Sequence, residues 1–201
     1  MIRFPTLAAL IVCAGSLLGF PAQQQPGENA PTDSVPGRPA VEIKTTKGAI
    51  KVELYSDLTP RTVENFLKYV DAKFYDDTIF HRVMRGFVIQ GGGFTPELEM
   101  LPTLPPIKIE SNKELPNVKG TIAMARMDDK DSASSQFFIN VDDNSQLDRT
   151  ARSFGYTVFG RVVEGMDVAL RISNVQTSSR GPMNDVPILP VIVESVRRVE
   201  K

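Results

Sequence analysis

With 201 residues, 41% of them hydrophobic and 23% charged, the chain can bury one sizeable core and carry an appended segment besides. A formal net charge of −1 offers no basic footprint for nucleic acid. One cysteine, Cys13, and one histidine, His81, exclude a disulfide framework and multi-histidine metal sites.

The N-terminus sets Arg3 ahead of Leu7-Ala8-Ala9-Leu10-Ile11-Val12 and Leu17-Leu18-Gly19-Phe20, the charge-then-apolar order of a secretory signal over residues 1–22. Export is the expectation, to the periplasm in the first instance, with a membrane-anchored or fully secreted form as the other outcomes. Cleavage after Ala22 would want a small residue where Phe20 stands, so an uncleaved anchor is the alternative, although the apolar run is interrupted and short for a spanning helix. Val12 directly before Cys13 argues against lipoprotein processing. Residues 23–40 are rich in Pro, Gln and Gly and nearly free of large apolar side chains, so burial cannot offset their ordering entropy and they read as a tether. The competing reading is a proline-bearing peptide that a neighbouring copy binds.

The folded domain is expected over 41–201. Val41 to Thr46 and Ala49 to Tyr55 alternate around Lys47-Gly48, which predicts a β-hairpin with glycine at the turn. Thr59-Pro60 then opens a helix, threonine as the cap and proline in the first turn. Val63, Phe66, Leu67 and Val70 form its buried stripe. Strands are predicted near 79–83, 87–90, 120–125, 136–141 and 156–163, a second helix over 165–173, and a closing strand over 191–199. Many short strands with two helices fit a mainly β, barrel-like fold better than an open α/β sheet. Between Thr95 and Val118 runs a loop with five prolines, Pro96, Pro102, Pro105, Pro106 and Pro116, which is either functional or a plain surface excursion.

Two stretches carry the chemistry. Phe80 to Phe94, FHRVMRGFVIQGGGF, sets Arg82 and Gln90 among apolar residues on two short strands broken at Arg85-Gly86. Gly120 to Asn140, GTIAMARMDDKDSASSQFFIN, places Gln136 and Phe138 two apart, on one face of a strand. Both read as polar handles beside a hydrophobic pocket, and the first holds no nucleophile. Strand alternation sends His81 to the face opposite Arg82, as a packed or hydrogen-bonded core histidine. Asp128, Asp129, Asp131, Asp142 and Asp143 lack calcium-loop spacing and read as a solvated rim around turns.

With VEIKTTKGAIKVELYSDLTPRTVENFLKYV before them and FGYTVFGRVVEGMDV after, these motifs resemble the cyclophilin-type peptidyl-prolyl cis-trans isomerases, in their bacterial exported branch, from about Val41 to Glu200. The resemblance implies a closed eight-stranded β-barrel capped by two α-helices, with the site on its outer face. It implies an enzyme without cofactor or metal that accelerates X-Pro rotation in folding exported proteins. The alternative on the same groove is a non-catalytic proline-peptide-binding chaperone or scaffold. Arg82 stands at the family's catalytic arginine and Gln90 beside it. Gln136 lines the groove, Phe87, Phe138 and Leu147 wall the proline pocket, and Val88 stands where many members carry methionine. Ala125 and Arg126, arginine replacing the usual asparagine, occupy an edge that pairs with extended substrate. Gln146 replaces an aromatic residue and Tyr156 a histidine common in eukaryotic members, which predicts weak cyclosporin binding. The expected partners are proline-containing segments of unfolded chains, met by a monomer.

Overall fold

The computed structural model describes residues 35–199. The signal and anchor readings, Cys13 and most of the tether lie outside them. The first described residues are tied to the domain: Val35 N–H donates to Glu53 at 2.9 Å, and Arg38 forks onto Asp57 at 2.7 and 2.8 Å. Residues 35–39 thus belong to the folded unit, although their composition matches the tether.

The expected hairpin forms as β1 (Ala40–Thr45) and β2 (Gly48–Leu54), with Gly48 at φ +127, a backbone that favours glycine. Helix α1 (Pro60–Asp71) follows, then β3 (Thr78–Met84), β4 (Val88–Gly91), β5 (Thr121–Met124), β6 (Phe137–Asn140) and β7 (Val158–Glu164). Helix α2 (Met166–Ser173) precedes β8 (Thr177–Arg180), β9 (Met183–Pro187) and β10 (Ile192–Val199). Eight strands close a barrel in the order β1-β10-β3-β4-β6-β5-β7-β2, as expected, with β1 pairing back onto β2. The separate β8–β9 hairpin was not foreseen: Thr177–Arg180 is exposed throughout and carries no apolar alternation for a sequence reading to catch.

Val41, Ile43, Ile50, Val52, Ile89, Ile122 and Ile139 lie in one core with the predicted α1 stripe of Val63, Phe66, Leu67 and Val70. Phe66 is its hub, with ring centroids 5.3 Å from Tyr75, 5.7 Å from Phe137 and 5.2 Å from Phe159. Such aromatic contacts combine large apolar burial with favourable edge-and-face geometry.

The cap of α1 differs from the expectation. Thr59 is the N-cap residue but makes no side-chain cap bond; its hydroxyl donates backwards to Tyr55 O at 3.3 Å. Glu110, from the proline-rich loop, takes over. It accepts Arg61 N–H at 3.2 Å, Thr62 N–H at 2.7 Å and the Thr62 hydroxyl at 2.7 Å. A carboxylate here satisfies orphan donors and meets the positive end of the helix dipole. The same contacts pin the loop, which Leu104 N–H also ties to Tyr69 Oη at 2.9 Å.

Candidate functional site

Arg82 reaches the outer face through an irregularity in β3. Phe80 pairs with Gly91 and Arg82 with Gln90, so two steps on β3 answer one on β4. Unbroken alternation would set Arg82 on the side of Phe80, inside the barrel. The bulge at His81 shifts the phase: Phe80 and Val83 both enter the core, and Arg82 stays half-buried outside it. Plain alternation through Phe80–Val83 is therefore corrected. The signal for it was present in two core residues three apart within a strand.

From Arg82 a lateral row crosses the barrel wall through Gln90, Phe138, Ala123 and Val158. Val88, Ala123, Phe138 and Val158 make a small buried cluster of their own, with Phe87, Ala125, Leu147 and Tyr156 packed against it. This cluster floors a recess of about 240 Å³ lined by Arg82, Phe87, Val88, Gln90, Ala125, Arg126, Phe138, Leu147 and Tyr156. Tyr156 meets Phe138 edge to face at 5.5 Å. The lining holds no carboxylate, thiol or imidazole. It can bind an apolar ring and present positive hydrogen-bond donors, and it offers no group suited to attack.

An amide relay runs along the rim. Arg82 Nη1 donates to Gln90 Oε1 at 3.5 Å, and Gln90 Nε2 donates to Gln136 Oε1 at 3.1 Å. Gln136 is set by the chain before β6, where Asn65 Nδ2 donates to Ser134 O at 2.6 Å and Tyr75 Oη to Ser135 O at 2.9 Å. It lies so close to Gly93 that a Cβ there would sit 2.6 Å from Gln136 Cγ. A side chain at the third position of the Gly91-Gly92-Gly93 run would therefore displace Gln136.

Gln136 lines a second, larger cavity of about 550 Å³, joined to the first through shared Gln90, Ala125 and Arg126. Gly93, Met100–Thr103, Met127, Ser132, Ser134 and Ser135 complete it. The proline-rich loop therefore does border the groove. Pro102 of this loop was singled out from the sequence, but Met100 and Met127 were not, because they read as ordinary loop residues until the chain folds back; they are 69% and 75% exposed. Arg126 stands between the cavities. Its Nε donates to Gly155 O at 3.0 Å, its Nη1 to Met127 O at 2.8 Å, and its guanidinium lies 4.8 Å from the Tyr156 ring centre.

The structure thus gathers every expected site residue except Gln146 along this groove. Gln146 is exposed on the 3-10 turn Ser145–Leu147 and lines neither cavity. The Ala125 N–H already donates to Gln136 O at 3.0 Å, so that donor is not open to an added peptide strand.

His81 is 4% exposed, its ring 4.5 Å from Phe94, and Nδ1 has no hydrogen-bond partner. It is a packed histidine. Burial, with Arg82 adding repulsion, lowers its pKa to about 4. Among the rim aspartates, Asp129 caps a turn by accepting Asp131 N–H at 2.9 Å, whereas Asp131 and Asp143 tie distant loops, accepting Ile109 N–H and Lys119 N–H at 2.9 Å each.

Residues 40–197 match the family described as cyclophilin type peptidyl-prolyl cis-trans isomerase/CLD. The chain is 49% identical over 161 residues to peptidyl-prolyl cis-trans isomerase A of Dickeya dadantii, covering 80% of this chain and 85% of that one. It is 48% identical over 159 residues to peptidyl-prolyl cis-trans isomerase B of Escherichia coli, covering 78% and 97%. Among solved structures, a cyclophilin type isomerase of Cryptosporidium parvum aligns with TM-score 0.68 at 26% identity, over 82% of this chain and 99% of that one. With the barrel, the outer recess and these likenesses in agreement, the chain belongs to the cyclophilin-type peptidyl-prolyl cis-trans isomerases.

Proposed function

We propose that this isomerase is exported and, as a monomer in that compartment, turns X-Pro bonds in folding proteins with Arg82 as the donor to the twisted amide. The observation that carries the role of Arg82 is its place above an apolar recess, with only a 3.5 Å contact to Gln90 holding its guanidinium among the described residues.

Amide rotation is slow because resonance stiffens the C–N bond, with a barrier of ~18–20 kcal/mol. The two X-Pro isomers differ by only about 0.5–1 kcal/mol, so a catalyst needs to favour the twisted state over both planar ones. In that state the prolyl nitrogen regains a lone pair and accepts a hydrogen bond. Arginine, always charged and rigidly forked, supplies the donor. The recess bounded by Phe87, Phe138 and Leu147 holds the ring; Gln90 steadies Arg82, and Gln136 meets the substrate backbone. No bond is made or broken. The activity serves folding because proline isomerisation is slow enough to limit it.

NMR exchange on an Ala-Pro peptide tests the chemistry: the purified protein broadens the cis and trans signals, and an absence of exchange in folded protein contradicts the proposal. Export is tested by fusing residues 1–34 to a phosphatase active only outside the cytoplasm; an inactive fusion, stably made, contradicts it. Cyclosporin is expected to bind weakly, since Gln146 brings neither an aromatic wall nor an indole donor to the recess. Tight inhibition in a titration would oppose that expectation.

A further inference from the structure

Three asparagines lie beneath the recess, Asn117 at 1%, Asn140 at 0% and Asn144 at 2% exposure. They join two of its walls through a continuous line of amides. Asn144 Nδ2 donates to Phe87 O at 2.8 Å and to Asn140 Oδ1 at 2.8 Å. Asn140 Nδ2 donates to Asn117 Oδ1 at 3.3 Å and to Thr121 Oγ1 at 2.8 Å. Asn117 Nδ2 donates to Leu147 O at 3.1 Å and to Asp148 Oδ1 at 3.1 Å. Each amide donates twice.

Phe87 precedes the first residue of β4, and Leu147 ends a 3-10 turn, so neither sits in the barrel ladder. Each carbonyl has one backbone donor, Val141 N–H to Phe87 O and Tyr156 N–H to Leu147 O, both at 3.0 Å. Those bonds hold each wall to its own neighbour. The asparagine line runs from wall to wall, and Asn144 adds a shorter path, since its own carbonyl accepts Leu147 N–H at 2.8 Å. Stability alone would be served by apolar packing at these depths, because a buried amide is costly wherever a partner is missing. The relay also needs amides at Asn140 and Asn117, since each of these links both donates and accepts.

We propose that Asn117, Asn140 and Asn144 are positioning residues that set the gap between Phe87 and Leu147 and thereby the grip on the prolyl ring. The inference rests on the reading of this recess as the proline site. A loosened gap weakens ring binding more than it weakens donation from Arg82, which is anchored on β3 and not part of the asparagine line.

The test measures KM and kcat for an Ala-Pro peptide by NMR exchange in the whole protein, its Asn117→Ala and Asn144→Ala variants and the double variant. Each single variant is expected to raise KM about five- to tenfold, the scale of one buried hydrogen bond, with kcat changed less than about twofold. Because Asn117 and Asn144 act on the same gap, the double variant should raise KM by less than the product of the two single effects. A barrel-core variant, Val196→Ala, chosen for comparable thermal destabilisation, should keep the wild-type KM. Unchanged KM in folded single variants, or single effects that multiply in the double, would overturn the proposal. Should Asn144→Ala fail to fold, Asn144→Ser keeps a donor, and an unchanged KM there with Asn117→Ala also unchanged overturns it equally. Absence of turnover in the wild type would instead remove the proline-site reading itself, and this proposal with it.

Discussion

Arginines in two regions of the barrel are held in opposite ways. Along the β1–β10 seam each guanidinium forks onto a carboxylate: Arg197 onto Asp76 at 2.7 and 2.6 Å, Arg198 onto Asp71 at 2.8 and 2.7 Å, and Arg38, just before β1, onto Asp57. The hydrogen bonds from these arginines hold the three carboxylates below their ordinary pKa. In the groove, Arg82 is in no ion pair among the described residues and has one long contact to a neutral amide. A paired guanidinium has spent its fork on the fold. An arginine left with a neutral neighbour keeps its donors for whatever enters the recess.

The contrast can be broken or sharpened by mutation and pH. The largest stability effect concerns His81, whose protonation would set a second cation beside Arg82. The neutral form is favoured in the fold, with a pKa of about 4 against 6.5 for a free imidazole, so between these values the unfolded chain binds more protons. Stability is full above pH 6.5 and falls as pH drops through 4, by up to about 3 kcal/mol. Urea unfolding at pH 7, 5.5 and 4.5 should show wild type losing more than His81→Leu across that window; parallel losses would remove the histidine from the account.

Gln90→Glu converts the groove contact into a seam-like pair. Substrate must then displace a charge-assisted bond worth ~1.5–3 kcal/mol, and turnover should fall about tenfold or more. An unaltered rate in the exchange assay would mean that Arg82 does not need its freedom. Away from both regions, Glu110→Ala strips the α1 N-terminus of its acceptor and should lower stability by ~1–2 kcal/mol in urea titrations. Asp71→Asn, by contrast, removes a seam partner that is half exposed. Solvent screening limits that change to at most about 0.5 kcal/mol, with turnover unaffected.

The groove was more legible in the sequence than the means by which it is built. Arg82, Gln90 and Phe138 stand out because polar side chains among strand residues need a purpose, and the motifs around them carry a family pattern. The bulge that turns Arg82 outward left only the Phe80–Val83 spacing as its trace, and the Glu110 cap and the asparagine relay left none. Glu110 is forty-eight positions from Thr62, and Asn144 fifty-seven from Phe87. No local propensity encodes such pairings. They arise only when closure of the barrel brings distant loops together, as it also does for Met100–Thr103 in the larger cavity.

The most direct measurement takes wild type and Arg82→Ala side by side through Ala-Pro exchange, peptide affinity and thermal unfolding. Loss of a preorganised donor should lower kcat by about 10²–10³-fold, with affinity only modestly weakened and the unfolding midpoint retained. A folded Arg82→Ala protein that turns over peptide at the wild-type rate would contradict the claim that this unpaired guanidinium stabilises the twisted amide.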